Sequence, residues 1–348
     1  MNKDVLKLIN DLNKKYGKNA VQLGSEIISQ RTIQRIPTSI VALDIALGGG
    51  IPLGRLVQIE GAYSSTKTTV CLHIIREAQK MGLVCAMIDA EGTTDEAYMK
   101  HLGIDTDNLL YITPDGLEET INMVIDMQRS KAVNLAVVDS LASLRPLKEL
   151  ESEADESVQL GITPKLLGEF FGKYQMSNNK LVREGSTPFT LICTNQLREK
   201  IGTMYGDPEY APGGRAKDFY SSVNIRLRRG DWLSQGKGQD KEIIGQVVKF
   251  KIDKNKTYKR MQTGEFDFYF SENGLGIPVG YVDNVKSIIE LSVYWGLIER
   301  GGAWYYLNRG EENEQKFQGL DSLVTYLRES PEKIEEYKNK ILDLAKKL

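Results

Sequence analysis

Continuous apolar runs alternate with helical periodicities through the middle of the chain. Val84–Ile88, Leu135–Val138 and Phe189–Cys193 are unbroken apolar runs of strand length. Each gives way to polar residues, Asp89-Ala-Glu91, Asp139-Ser140 and Thr194-Asn195-Gln196 respectively. Runs that are apolar throughout, with helices between them, predict parallel strands covered on both faces. Ligands of such sheets bind at the carboxyl ends of the strands, where these polar residues lie. Arg55–Glu60 reads as a further strand, and Val70, Cys71, Ile74, Ile75 and Ala78 recur after it at helical spacing. Past residue 220, Asn224–Arg228, Val247–Ile252 and Phe266–Phe270 read as strands with hairpin-like connections.

The two ends have another texture. Val5, Leu8, Ile9 and Leu12 make one apolar face of a short helix that Gly17 ends, with Lys14 and Lys15 in its last turn. Such a helix is marginal alone and needs a surface, on its own core or on a neighbouring subunit. Asn273-Gly-Leu-Gly276 is a linker signal, followed by Ile288, Ile289, Leu291 and Val293, by Trp304-Tyr-Tyr306, and by a charged helix over Pro331–Leu348. The expected organisation is an N-terminal segment over 1–35, an α/β core over 36–270 and a small α+β domain over 271–348.

Composition narrows the function. Hydrophobic residues make up 41% of the 348 positions, enough for a sizeable core, and no apolar run is long enough to cross a membrane. Met1-Asn-Lys-Asp lacks the layout of a signal peptide, so a cytoplasmic protein without membrane contact is expected. The three cysteines, Cys71, Cys85 and Cys193, lie far apart in apolar runs, as buried thiols do in a reducing compartment. Two histidines, His73 and His101, argue against histidine-based metal or triad chemistry. A net charge of −2 means that any nucleic-acid surface must be local.

Gly61-Ala-Tyr-Ser-Ser-Thr-Lys67-Thr68-Thr69 is one residue away from the phosphate-binding pattern G-x-x-x-x-G-K-[ST]. Thr66 stands where the second glycine belongs. The strand before and the helix after are in place, so backbone N–H groups, those of Ser64 and Ser65 among them, would face an anion at a helix N-terminus. Lys67 would reach the β- and γ-phosphates of a nucleotide, and the Thr68 hydroxyl would hold Mg²⁺. A Ser/Thr-rich turn before an ordinary helix is the competing reading.

Asp139, after four apolar residues, is placed like the carboxylate that completes a Mg²⁺ shell through water. Glu91 could serve as general base for an attacking water, and Gln196 could sense a γ-phosphate through its amide. The stretch from Arg198 to Lys217 mixes basic residues (Arg198, Lys200, Arg215, Lys217) with Met204, Tyr205 and Tyr210 and with Gly202, Gly213 and Gly214. Loops this long are functional or disordered, and this mixture suits a single nucleic-acid strand.

Taken in order, these segments resemble the bacterial RecA family of recombinases. The resemblance is carried by Thr38–Gly48, the phosphate loop, Asp89-Ala-Glu91, Asp95-Glu-Ala-Tyr98, Val137–Ser140, Asn195–Gly202, Gly213-Gly214, Lys254-Asn-Lys256 and Gly302–Tyr305. It implies a RecA-like P-loop NTPase core and a DNA-dependent ATPase that forms filaments on single-stranded DNA. It also implies strand exchange with double-stranded DNA in recombinational repair and the response to DNA damage. ATP and Mg²⁺ would be bound by Gly61 and Ser64 to Thr69, with Asp139 supporting the metal. Tyr98 would stack on adenine, with Asp95 near its amine. Glu91 would activate water, and Gln196 would couple the γ-phosphate to the loop from Arg198 to Arg215, the second DNA-binding loop. A first such loop would fall within 151–163. Lys254 and Lys256 would reach the nucleotide of an adjacent subunit, and residues 1–35 would pack on a neighbouring core.

The chain departs from that pattern at Thr66, at Tyr63 in place of an acidic residue, and at Asp218 in place of a lysine. The departures describe a divergent member. They leave two alternatives, a non-hydrolysing DNA-coating filament with a degenerate phosphate loop and a related ring ATPase such as a helicase. The Gly-Ala-Trp-Tyr segment speaks against the ring.

Overall fold

The computed structural model describes residues 2–17, 19–24, 33–151, 161–199, 209–236 and 241–346. In chain order the first elements are α1 (Lys3–Tyr16), β1 (Arg35–Ile36), α2 (Val41–Leu47), β2 (Ile51–Pro52), β3 (Leu56–Gly61) and α3 (Lys67–Lys80). There follow β4 (Cys85–Asp89), α4 (Glu96–His101), β5 (Leu109–Ile112), α5 (Leu117–Ser130), β6 (Leu135–Asp139), α6 (Leu147–Glu151), α7 (Ile162–Arg183) and β7 (Thr190–Gln196). The next are β8 (Arg198–Glu199), β9 (Glu209–Tyr210), α8 (Ala216–Tyr220), β10 (Val223–Gln235), β11 (Glu242–Asn255), β12 (Thr263–Tyr269) and β13 (Val282–Asp283). The last are α9 (Val285–Tyr294), β14 (Glu299–Gly301), β15 (Trp304–Leu307), β16 (Gln315–Gln318), α10 (Leu320–Arg328) and α11 (Pro331–Lys346).

The chain divides into two compact units. The first contains residues 1–35, 52–59 and 78–224. Its strands are ordered β3-β7-β6-β4-β5. The β7-β6-β4-β5 ladders are parallel, with Cys85 opposite both Leu109 and Leu135, and Leu135 opposite Thr190. The three apolar runs are therefore the strands expected, and β4 and β6 are buried at every position. Ala86, Ile88, Ala136, Val138, Leu191 and Cys193 share a core with Val124 of α5 and Phe170, Phe171 and Tyr174 of α7. Buried Asn178 of α7 ties this layer together: its amide donates to the carbonyls of Gly54 (2.6 Å) and Phe189 (3.1 Å) and accepts the Phe189 N–H (2.9 Å). Cys85 and Cys193 are fully buried, and burial pushes the Cys85 thiol up to about 12, so it stays protonated and inert. The helix expected near the N-terminus is α1, capped by Asn2 and ended at Gly17; it buries none of its residues in the single chain.

The second unit contains residues 36–51, 60–77 and 225–348. Its strands in the large sheet are ordered β13-β12-β11-β10, and β11, β12 and β13 are antiparallel. They run further than the apolar patches in the sequence, β11 covering Glu242–Asn255, because alternating positions face away from the core and carry charge. Val285, Ile288 and Ile289 of α9 pack with Tyr305 and Leu307 of β15, with Leu323, Val324 and Leu327 of α10, and with Tyr337 and Ile341 of α11. That cluster includes Val41 of α2, far back in the sequence. No helix among the described residues is long and apolar enough to cross a membrane.

Candidate functional site

The second unit holds the phosphate loop. β3 ends at Gly61 and α3 begins at Lys67, as the pattern predicts. Gly61 has no room for a side chain: a Cβ there would collide with Ser65 Oγ and with the Leu227 carbonyl. The loop closes on itself. Ser65 Oγ donates to the Ala62 carbonyl (2.8 Å). Lys67 Nζ donates to the carbonyls of Gly61 (3.0 Å) and Ala62 (2.9 Å) and lies 3.4 Å from Ser65 Oγ. Thr68 and Thr69, half-buried, occupy the first turn of α3. The N–H groups at this helix end, with the Lys67 cation, favour an anion.

Thr66 takes a φ of +63° and Ser64 one of +57°. Position 66 thus keeps the left-handed conformation that a glycine would adopt freely, at a cost of roughly 1–2 kcal/mol for an L-residue. Thr66 therefore carries backbone strain at the position where the pattern has glycine. Tyr63, at the loop's tip, is 83% exposed.

The first unit holds the candidate carboxylates. Asp89 and Asp139 are register partners at the ends of β4 and β6. The Asp139 carboxylate is buried and accepts a hydrogen bond from Thr194 Oγ1 of β7. Glu91 is exposed, but its Oε1 accepts from Ser140 Oγ (2.8 Å) and Ser143 Oγ (3.1 Å). The candidate base is therefore aimed by two hydroxyls from the turn after β6. Sequence reasoning missed these serines, and it missed Asp89. The Asp89 carboxylate accepts the N–H groups of Glu91 (3.0 Å), Gly92 (2.8 Å) and Thr94 (2.9 Å) and the Tyr111 hydroxyl (2.7 Å). Burial works to raise its pKa, but bonds from Tyr111, Thr94 and Gly92 outweigh burial and hold the carboxyl below its ordinary value. Asp89 fixes the turn that presents Glu91; the sequence marks it by its place at the end of an apolar run and in the Asp89-Ala-Glu91 segment, but not by this role.

Asp95 is the N-cap of α4 and accepts the Ala97 N–H (3.0 Å), while Tyr98, half-buried, lies one turn on. Gln196, half-buried, ends β7. Its neighbour Asn195 is fully buried and donates through Nδ2 to the Pro212 carbonyl (2.8 Å). Arg198 pairs with Tyr210 in a two-stranded ladder at the base of the long loop. Lys200, Gly202, Met204 and Tyr205 lie outside the described residues, as does most of the acidic stretch after Glu151. Gly213 (φ +102°) and Gly214 (φ +76°) pack against α7: a Cβ on either would sit 3.0 Å from Leu167 Cδ1 or Pro164 Cβ. Arg215, exposed, precedes α8. Asp218 accepts from buried Lys217 at 2.7 Å. In the second unit, Lys254 lies near the end of β11 and Lys256 just beyond it.

The family model for the RecA N-terminal domain matches residues 3–276. The chain belongs to the RecA family. Protein RecA of Heliobacterium modesticaldum is 38% identical over 315 residues, 89% of this chain and 86% of that protein. Protein RecA of Cutibacterium acnes is 38% identical over 337 residues, 96% of this chain and 89% of its own length. Protein RecA of Clostridium tetani is 37% identical over 347 residues, 98% and 92%. The RecA family acts in DNA recombination and repair, so the recombinase expectation stands, and the alternative of a non-hydrolysing DNA-coating filament is not better supported. RecA proteins as a family are DNA-dependent ATPases that bind DNA and form filaments.

Proposed function

We propose that this chain hydrolyses ATP as part of a filament on single-stranded DNA and pairs that strand with a homologous duplex. The observation that carries the reading is the phosphate loop, which closes with Lys67 folded over it and has Thr66 in the left-handed region at the glycine position. Lys67 would exchange its bonds to the Gly61 and Ala62 carbonyls for phosphate oxygens, so the cation is held ready and no new side-chain order is needed. Glu91, aimed by Ser140 and Ser143, would accept the proton of the attacking water. Thr68 and Asp139 are hard oxygen donors of the kind Mg²⁺ takes, and when bound the metal would neutralise charge on the phosphates.

The remaining assignments follow the family resemblance. Tyr98 and Asp95 would meet the adenine. Gln196 would relay the state of the γ-phosphate to the loop from Arg198 to Arg215, whose base is pinned by Asn195 and by the packing of Gly213 and Gly214. Lys254 and Lys256 would act on the nucleotide of an adjacent subunit, and α1, which buries nothing in the single chain, would dock on a neighbour. Residues 36–270 would be the ATPase core, 271–348 the C-terminal domain, and the cytoplasm the working compartment.

The test is ATP turnover with and without single-stranded DNA, beside Lys67→Ala. DNA-stimulated turnover that the variant lacks is the expected result. DNA binding with no turnover in either protein would replace this reading with the non-hydrolysing filament.

A further inference from the structure

A left-handed threonine needs something to hold it, and the second unit supplies it from an unexpected side. Gln246 lies in β11, far along the chain from the phosphate loop, and is only 4% exposed. Its Nε2 donates to the Ser64 carbonyl at 3.1 Å. Ser64 and Thr66 are the two residues of the loop with positive φ. Gln246 is the register partner of Phe268 in β12. Phe268 in turn lines a narrow apolar gap together with Thr66, Ile40, Val70, His73 and Phe266. Thr66 Oγ1 is buried there and has no hydrogen-bond partner among the described residues.

The side chain of Thr66 is therefore held by shape alone. Its hydroxyl gains nothing from the site, and its backbone is in the region that a β-branched residue leaves most readily. The fixed point is the carbonyl of Ser64, two residues before Thr66 and itself at positive φ, which Gln246 grips from the sheet. Released, the Ser64–Ser65 peptide could turn and Ser64 could leave its positive φ, and the strain at Thr66, two residues on, could relax with it, which would swing the loop's N–H groups off the anion. With glycine at position 66 the left-handed state has no such penalty, and the grip would matter less.

We propose that Gln246 is a positioning residue for the phosphate loop, a clamp that the chain requires because Thr66 stands in place of glycine. The proposal rests on the reading of this loop as the nucleotide site for its activity consequence, but not for its structural one.

The test is a cycle of four full-length proteins: wild type, Gln246→Met, Thr66→Gly and the double variant. Methionine keeps the volume of the side chain and removes its donor. Two readouts are taken. The first is the affinity for a fluorescent ADP analogue. With Thr66 in place, Gln246→Met should weaken binding about five- to tenfold, as the loss of one hydrogen bond would. In the Thr66→Gly background it should weaken binding less than about twofold, so the cycle does not close additively. The second needs no nucleotide. Tyr63, 83% exposed, is a chymotrypsin site inside the closed loop, and Tyr294, 79% exposed at the end of α9, is a site elsewhere. Gln246→Met should speed cleavage after Tyr63 several-fold and leave cleavage after Tyr294 unchanged. Cleavage after Tyr63 at the wild-type rate, or a parallel rise at both sites, overturns the clamp. Equal affinity losses with threonine and with glycine at position 66 also overturn it. A wild type that fails to bind the ADP analogue sinks the ATP reading instead, and the proteolysis then decides the clamp by itself.

Discussion

Asn195 Nδ2 donates to the carbonyl of Pro212 at 2.8 Å, which ties the last turns of β7 to the far limb of the loop that begins at Arg198. Asn195 is fully buried, and the residue after it is Gln196. A change at Gln196 can therefore reach the loop along two routes, the chain itself and this hydrogen bond. Asn195→Ala cuts the second route and leaves the Pro212 carbonyl without that donor. Turnover without DNA should stay within about twofold of wild type, while the stimulation by single-stranded DNA should fall about tenfold, the scale of a buried hydrogen bond. Steady-state ATPase assays across DNA concentrations separate the two. An equal drop with and without DNA would show that Asn195 only supports the fold.

Glu91 depends on its two serines. If it is the base, Glu91→Gln should lower kcat by about 10²–10⁴ and leave nucleotide affinity nearly unchanged. Ser140→Ala with Ser143→Ala removes the hydroxyls that aim it. That double variant keeps the base and loses its orientation, so about a tenfold loss in kcat is expected. A double variant as dead as Glu91→Gln would assign the serines a direct part; one with full activity would show that Glu91 finds its position unaided.

The strands and the phosphate loop were legible because continuous apolar runs and the glycine-lysine-threonine pattern are local signals. Gly61 could be read as a loop glycine, and its crowding against Leu227 shows why only glycine fits. What the sequence hid was the set of long-range partners. Gln246 sits 182 positions from the residue it holds, and nothing in its neighbourhood marks it. Asn178 likewise reads as a polar residue on a helix, and only the fold reveals that it bonds both Gly54 and Phe189. The cost of Thr66 was foreseeable from its side chain, whereas the bond from Gln246 to the Ser64 carbonyl was not.

Gly213 tests how tightly the loop's base must pack. Its φ of +102° is unsuited to an L-residue, and a Cβ would press on Leu167 at 3.0 Å. Gly213→Ala should destabilise the protein by about 1–3 kcal/mol through strain and overpacking. Urea unfolding measures that directly. Affinity for single-stranded DNA should fall as well, since Arg215 follows two residues later. Unchanged stability would mean that the segment relaxes freely and that its glycines are not structural.

Asp44 predicts how stability changes with pH. It is buried in α2, and its Oδ1 accepts both the Thr38 N–H (2.7 Å) and the Thr38 hydroxyl (2.8 Å). Those bonds favour the charged form, as does the Lys338 cation, whereas Glu77 opposes it. Burial outweighs them and raises the carboxyl from its ordinary value to about 7. The native state therefore keeps a proton that the unfolded chain gives up near pH 4. Its contribution is full below that pH and is lost as pH rises through 7, because the ionised group must then be carried in a dry site. Asn at this position offers the same acceptor to Thr38 and does not titrate. Any fixed penalty from its extra N–H groups is independent of pH. The difference in melting temperature between Asp44→Asn and wild type should therefore move by several degrees in favour of the variant between pH 5 and 8. Parallel melting curves across that range would show that Asp44 ionises early and that its two bonds from Thr38 dominate over burial.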